Sequence, residues 1–540
     1  MTEIIYTTQR LDHLGIVAGV CQEIELAGQV DRMVGPTERQ VSVGEAVQAM
    51  VLNALGFVSR PLYLTPEFFA NKPLDRLLRP GLTPEMLNDD SLGRALDILY
   101  QTGVTEVFAQ VASHALRLYG LWHRFVHLDT TSFSVEGAYD RPEEPGVVRI
   151  VHGYSRDHRP DLKQVVVALL TTYRSALPTW IQALDGNAAD SQTFPQIIAA
   201  YVAQLKAGEM PYLVADSALY SEANLQKLAE VKWLTRVPER IALAKALVES
   251  VAAEEMQPAA QEGYRYTELC TTYGGVRQRW LVVWSAQAEK RERVALQKRV
   301  EKERQDAEKD WKALQRREFP SRERAEEAMA AWAKRWTFHG VEVQYHEVAH
   351  YGRKGRPALG EVPQRVGWHV QGEVVERPEA ILAAEKGLGK FILATNELDE
   401  ERLPAEEMLL AYKGQGVGPE RGFRFLKDPW FFADSLFLKS PKRIMALVMV
   451  MGLALLVYAL AEHKLRTVLR ERGESVPNQV GKPTQRPTMR RIFQMFEGID
   501  LLLITTPEGV QQQVMNLKPV HRQILRLLGP NVEKCYLDTS

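Results

Sequence analysis

The sequence predicts an α/β fold: a mixed sheet core interrupted by a large insertion, with a helical domain in front of it. Three observations carry this. Residues 1–120 place apolar side chains at helical spacing. Residues 121–240 alternate β-rich runs with helical stretches. Residues 241–410 set a long segment dense in Lys, Arg and Glu between β-rich runs.

In the first region, VGEAVQAMVLNAL (43–55) repeats its apolar positions with a helical period, and 91–120 holds at least one more amphipathic helix. Gly and Pro punctuate it at Arg60-Pro61, Lys72-Pro73 and Pro80-Gly81. Such a bundle either covers the sheet or places a helix in a DNA major groove. From 121 to 240, RFVHLDTTSFSV, VVRIVHGYS and QVVVALLTTY read as strands, the first two joined as hairpin neighbours by a turn around Pro142 to Gly146. DSQTFPQIIAAYVAQLKAG is a helix opened by an acid and closed by Gly208; YLVADSA and WLTRVP are further strands. Three strands, a helix, a strand and a helix is the order of a ribonuclease-H-like core.

The insertion, 241–410, holds a charged stretch from Ala286 to Trp336 in which Val300, Ala307 and Leu314 recur at seven, with Leu296 and Trp311 beside them. FPSRER breaks the run and supplies Ser321 as an N-cap, which predicts an antiparallel helical hairpin. YRYTELCTTYGGVRQRWLVVWS and GKFILATNE are the strands of a small β-rich subdomain that carries this arm. The arm is a solvated face, or a contact to a second copy or to DNA. HYGRKGRPALG (350–360) is a basic loop suited to phosphate. Residues 411–472 complete the core, and 473–540 read as a Pro/Gly/Thr linker followed by a small module of a helix and a strand. ALVMVMGLALLVYAL (446–460) approaches the length of a membrane span. A helix buried all round in protein is the expectation, because no topogenic signal precedes it. MTEIIYTTQR lacks the basic and apolar regions of a signal peptide.

Bulk composition narrows the function classes. The chain has 540 residues, 45% apolar and 25% charged, with a formal net charge of −1. That is ordinary globular composition, long enough for about three or four domains. Three widely spaced cysteines, Cys21, Cys270 and Cys535, exclude a disulfide framework and a cysteine-type zinc site. Charge is unevenly distributed: 1–120 nets −5, whereas 420–500 has 14 Lys and Arg against 8 Asp and Glu, a net of +6 available to phosphates.

Three stretches carry candidate chemistry. In YKGQGVGPERGFRFLK (412–427), Pro419 suits the first position of a helix, which puts Glu420 in its first turn. Lys427, seven residues on, returns to the face of Glu420, with Arg424 one turn away and Phe425 and Leu426 opposite for burial. HLDTTSF (127–133) places Asp129 in the middle of a strand, and YLVADSALYS (212–221) ends a short apolar strand at Asp216. A strand acid is costly to bury unless it is paired or binds a metal; each Asp also suits a turn cap. Two Asp and a Glu are three hard oxygen donors, the set that suits Mg²⁺. In HGYSRDHRPDLK (152–163), the spacing of His152, Asp157, His158 and Asp161 fits no standard zinc motif, so an exposed connection is expected, with Arg156, Arg159 and Lys163 beside the site as phosphate ligands.

Asp129, Asp216 and Glu420 resemble the acidic triad of the DDE transposases of bacterial insertion sequences. The Glu420 to Lys427 spacing resembles the Tyr-Arg-Glu-Lys signature of one superfamily of these enzymes. LNDDSLGRALDILY (87–100), GYSRDHRPDLKQ (153–164), DGNAADSQTF (185–194) and GKPTQRPTMRRIF (481–493) look like the same subgroup, so the likeness spans most of the chain. Counted back from Glu420, the signature's Tyr and Arg positions hold Lys413 and Gly416 here, and Tyr412 lies one step upstream.

The resemblance implies a ribonuclease-H-like catalytic domain holding two Mg²⁺ ions, or Mn²⁺ as a substitute, through Asp129, Asp216 and Glu420. It implies Arg424, Lys427 and Tyr412 on DNA, terminal inverted repeats as the bound sequence, end cleavage, and joining of 3′-hydroxyl ends to target DNA. A homodimer on the DNA ends, no membrane, and a cytoplasmic, nucleoid-associated place in a bacterium follow with it. Competing classes are a two-metal nuclease that only cuts, a domesticated non-catalytic DNA-binding protein, and a membrane-anchored coiled coil.

Overall fold

The computed structural model describes residues 4–57, 61–121, 123–139, 142–205, 210–352, 362–416, 418–428 and 438–537. It forms two compact units: Met1–Thr235 with Tyr273–Val276 and Glu407–Ser540, and Arg236–Thr272 with Arg277–Glu406.

The first unit is built on five strands: β1 (Phe125–Val135), β2 (Lys163–Thr172), β3 (Pro178–Leu184), β4 (Tyr212–Ala215) and β5 (Trp233–Arg236). They lie in the order β3-β2-β1-β4-β5. The first three are antiparallel, and β4 and β5 run parallel to β1. This is the mixed sheet of the expected core, with one exchange of members. VVRIVHGYS is not a strand, and PTWIQAL supplies the third strand instead. Val148 and Ile150 are buried as their apolarity requires. Their backbone, however, is held by Asp185 Oδ1, which accepts from Arg149 N at 2.9 Å, and by a single bridge at Val151. Burial without a ladder has the same sequence signature as a strand.

Helices cover both faces, and the register assigns them. Residues directly opposite in an antiparallel ladder share a face, so Asp129, Leu169 and Ile181 lie on one side and Leu128, Leu170 and Trp180 on the other. Helix α1 (Asp190–Val202) sets Tyr201 edge-on to Trp180, 6.0 Å between ring centroids, so it covers the second side. Helices α2 (Pro419–Leu426) and α3 (Pro441–Arg472) cover the side of Asp129: Gly422 packs on Leu169 and Gly452 on Ile181.

The apolar run lies in α3, a 32-residue helix whose most apolar window has mean hydropathy 2.6 and is 83% buried inside the protein. N-terminal helices, β3 and α2 surround it. Its flanking cations are engaged too: Arg443 pairs with Asp97 at 2.7 Å and Lys464 with Glu23 at 2.6 Å. A span would have no use for these partners. The chain is therefore expected in the supernatant after cell lysis without detergent; recovery only in a pellet that resists salt and alkaline washing would overturn the burial of α3.

The N-terminal region contains the helix Val43–Ala54, with Ser42 and Glu45 forming a capping box, and two helices over 89–118, divided at Gly103, whose φ is 103°. Residues 473–540 do not form a separate module. The strand Asp500–Thr506 pairs on one side with Ile5–Arg10 and on the other with Gly509–Val514. The helix Pro530–Tyr536 closes on Leu14–Glu23: Tyr536 Oη donates to Asp12 O at 2.6 Å and accepts from Ile16 N at 3.2 Å. The chain's two ends build one subdomain, a non-local pairing that periodicity within either segment does not reveal.

In the second unit, Tyr264–Tyr273, Val276–Ser285 and Lys390–Thr395 are strands as expected. The charged stretch folds into the helices Ala286–Gln315 and Arg322–Ala333, the latter capped by Ser321, which accepts from Arg324 N at 3.4 Å. Leu296, Ala307, Trp311 and Leu314 are buried, as their narrow stripe demands. The last three pack with Phe319, Met329, Trp332 and Val370 of the same unit. The basic loop from 353 to 360 lies outside the described residues.

Candidate active site

Asp129 follows His127 by two residues on β1, and the parallel partner of His127 on β4 is Val214. Asp129 and Asp216 each lie two residues past that pair, where the ladder has ended, and the Asp216 charge is near enough to raise the Asp129 carboxyl. The carboxyl ends of parallel strands are where open α/β sheets bind ligands. Each acid is oriented by a backbone donor. Thr130 N donates to Asp129 Oδ1 at 2.8 Å, and Ala218 N donates to Asp216 Oδ1 at 2.9 Å, where Asp216 caps the short turn Ser217–Leu219. The second oxygen of each carboxylate has no hydrogen bond among the described residues. Burial pushes the Asp129 carboxyl up to about 6, against the lowering effects of the Thr130 N–H and Arg156, and neighbouring Asp216 and Asp190 raise it further. Burial, with Asp190 nearby, raises Asp216 as well. Two largely buried carboxylates side by side, each with a spare oxygen, suit a divalent cation better than they suit one another.

Helix α2 is drawn onto this face by glycine. Gly418 packs on Thr171, which lies opposite His127, and Gly422 packs on Leu169, which lies opposite Asp129. A Cβ at Gly418 would come within 2.6 Å of Thr171 Oγ1. As expected, Pro419 opens the helix and Glu420 sits in its first turn. Glu420 lies about 200° around the helix from Gly418 and Gly422, so it is exposed, and its carboxylate lies alongside Gly416. Among the described residues no three His, Cys, Asp or Glu side chains converge closely enough to hold one ion. The candidate triad thus stands as a preassembled pair, Asp129 and Asp216, with Glu420 on the adjoining helix.

The candidate DNA contacts separate. Arg424 is exposed one turn from Glu420, and Tyr412 is half-buried in the helix Ala405–Lys413. Lys427 ends α2 over the Phe133 ring at 5.4 Å and pairs with Asp157 at 2.7 Å. In the exposed connection, Arg159 pairs with Asp161 at 2.7 Å, and Lys163 Nζ donates to Ala138 O. Arg156 turns inward, 2.8 Å from Asp190 and 3.7 Å from Asp129. The other acids near the Gly-Pro break are engaged: Glu406 accepts from Ala260 N at 2.8 Å, and Glu407 pairs with Arg124 at 3.1 Å.

Two residues of the site carry no sequence signal that would have singled them out. Asp190 looks like any acid opening a helix. His127 is a buried histidine whose Nε2 lies 2.8 Å from Ala411 O, tying the strand of Asp129 to the helix before α2. Burial pushes its imidazole down to about 4, so it is neutral and donates this hydrogen bond from Nε2.

A ribonuclease-H-like sheet with paired acids at its carboxyl edge defines a class of phosphoryl-transfer enzymes. The transposase DDE domain matches residues 123–457 and a domain of unknown function, DUF4277, matches residues 6–113. The chain belongs to the DDE transposase family, in agreement with the resemblance carried by its motifs. Among solved structures, a piggyBac transposase synaptic complex with hairpin DNA, determined by cryo-EM, is similar at 8% identity and a TM-score of 0.38, over 99% of this chain and 88% of that one. No curated protein matches the chain.

Proposed function

We propose that this transposase binds the terminal inverted repeats of an insertion sequence, cleaves the DNA at the element ends, and joins the freed 3′-hydroxyl ends to target DNA. The observation that carries the reading is the Asp129–Asp216 pair, each carboxylate fixed through one oxygen and open through the other. Their hard oxygens fit Mg²⁺, with Mn²⁺ as substitute. Asp129, Asp216 and Glu420 would hold two ions, which supply the lowered pKa of the attacking water or 3′-hydroxyl and the stabilisation of the leaving oxygen.

The rest falls to side chains of this chain. Glu420 is exposed on the side of α2 turned away from the sheet, so α2 must turn or shift on DNA for it to join the pair. Arg424, on the same exposed side, takes a backbone phosphate. Lys427 and Arg159 exchange their partners Asp157 and Asp161 for phosphates, and Lys163 and Tyr412 line the approach. Both ends of an element must be held together for joining, so two copies act on the DNA.

The test is a duplex carrying an element end, incubated with the full chain and Mn²⁺, beside a pre-cut end with a free 3′-hydroxyl and a target plasmid. Cleavage with joining supports the proposal; cleavage without joining of the pre-cut end assigns a nuclease instead. Binding should also be steeply salt-dependent, because each Lys or Arg contact releases counterions. With about six phosphate contacts, affinity should fall by roughly three decades between about 50 and 200 mM salt. Affinity that is flat across this range, measured by fluorescence anisotropy, would contradict a phosphate-dominated interface.

A further inference from the structure

Asp190 is the first residue of α1, on the side of the sheet away from Asp129, and both of its oxygens are used. Thr130 Oγ1 donates to Oδ1, and Arg156 Nη2 donates to Oδ2 at 2.8 Å. The ladder of β1 with β4 covers only Phe125–His127, so the backbone of Thr130 lies beyond it. Arg156 takes the place of the missing strand. Its Nη1 donates to Thr130 O, its Nη2 donates to Thr130 Oγ1 at 3.0 Å, and its own backbone N donates to Ser132 Oγ at 3.1 Å. Nη1 stops 3.7 Å from Asp129 Oδ1, an ion-pair distance too long for a hydrogen bond.

The guanidinium is therefore held mainly by Asp190 and Thr130, and only leans on Asp129. Three of its five N–H donors are spent on these partners, which leaves two. The side chain is 38% exposed, so the guanidinium is not sealed from solvent. A guanidinium beside a carboxylate pair that takes a divalent ion has two possible effects. Drawn onto Asp129, it competes with the ion. Held off Asp129, it contributes positive charge at the rim, where a phosphate oxygen would lie.

We infer that Asp190 is a positioning residue for the transposase reaction: it holds the Arg156 guanidinium off Asp129 and at the rim of the acidic pair, where Arg156 takes an oxygen of the DNA phosphate being cut. This rests on the reading of Asp129 and Asp216 as a metal site. Asp190 acts through Arg156 and does not itself bind the ion. It therefore differs from a fourth metal ligand, and from an acid that merely stabilises the start of a helix.

The test is a double-mutant cycle of Asp190→Asn and Arg156→Gln in the full chain. The readouts are Mn²⁺ binding to DNA-free protein by calorimetry, kcat and KM for end cleavage, and thermal melting. Asp190→Asn should weaken Mn²⁺ binding by about tenfold, because Arg156 then closes on Asp129. Arg156→Gln should leave Mn²⁺ binding unchanged or tighter. Each variant should lower kcat by about 100-fold with little change in KM, as a misplaced phosphate does. The double variant should match Arg156→Gln in both respects.

A double variant that binds Mn²⁺ as poorly as Asp190→Asn alone makes Asp190 a metal ligand and overturns the proposal. An Asp190→Asn protein that melts earlier yet keeps wild-type Mn²⁺ binding and kcat reduces Asp190 to a helix opener, also against it. Wild-type protein that binds no Mn²⁺ removes the metal site itself, and this inference with it. Normal Mn²⁺ binding without any cleavage activity in the wild type counts against the proposed function, while the binding arm of the cycle still decides the role of Asp190.

Discussion

Asp129→Asn and Asp216→Asn are each expected to abolish metal-dependent cleavage, by about 10³-fold or more, while the chain still folds. The amide keeps the shape and can still accept from the Thr130 or Ala218 N–H. What it loses is the charge that the cation requires. The sign of the stability change separates this role from a structural one. The Asp129 carboxyl titrates near 6 in the folded chain against an ordinary value of 3.8. Between those values the folded chain keeps a proton that the unfolded chain has released, so this group's contribution to stability is lost as pH rises through the window. Above about pH 6 the charged Asp129 costs the fold up to roughly 3 kcal/mol, and the amide removes that cost. Asp129→Asn should therefore melt higher than wild type at pH 7, with the difference vanishing toward pH 4. Mn²⁺ should raise the wild-type melting temperature and have much less effect on either variant. An Asp129→Asn protein that melts lower at pH 7 in metal-free buffer would identify Asp129 as an ordinary turn acid.

Glu420→Gln is the other variant with a large expected effect, and its profile is different. Glu420 is exposed on α2, so its replacement should shift the melting temperature by no more than an ordinary surface substitution, within about ±0.5 kcal/mol. Cleavage should nonetheless fall by several orders of magnitude, because Glu420 is the acid of α2 to which the proposed function gives the role of third ligand. In the DNA-free protein, where Glu420 stands apart from the pair, one Mn²⁺ should bind to wild type and to Glu420→Gln with similar affinity. Wild-type cleavage by Glu420→Gln would move the third acid elsewhere, and Glu406 and Glu407 are the next to replace. Their existing partners, Ala260 N and Arg124, make them weaker candidates.

The legible parts of this chain were those in which the physics is local. Pro419 announces the start of α2, Ser321 the second helix of the arm, and the stripe of Leu296, Ala307, Trp311 and Leu314 its buried side. Asp129 and Asp216 stand out because an acid in an apolar strand needs a reason. Partners distant in sequence were not legible. Val148 and Ile150 are apolar because they pack, yet nothing in their spacing says that Asp185 takes up the neighbouring backbone in place of a ladder. Pro178 at the start of β3 obscured a real strand. Lys427 shares a helical face with Glu420 in projection, but Asp157, 270 residues away in the chain, determines where it goes. Asp190 reads in the sequence only as the acid that opens a helix, for the same reason: its meaning lies in Arg156 and Thr130, which come from two other segments.

The pairing of Ile5–Arg10 with Asp500–Thr506 bears on how the molecule is made. The strand Ile5–Arg10 waits for a partner made roughly 490 residues later, and the helix Leu14–Glu23 waits for Pro530–Tyr536. During synthesis the helical subdomain thus presents uncovered apolar surface for most of the elongation time, which at about 5–20 residues per second is tens of seconds. A ribosome that stops or shifts frame before about residue 500 would release a chain with an intact acidic pair but an open seam at this pairing. Such a product is a substrate for chaperones and proteases before it is an enzyme. Residues 500–536 serve, in effect, as a check that synthesis of the transposase has reached at least that far.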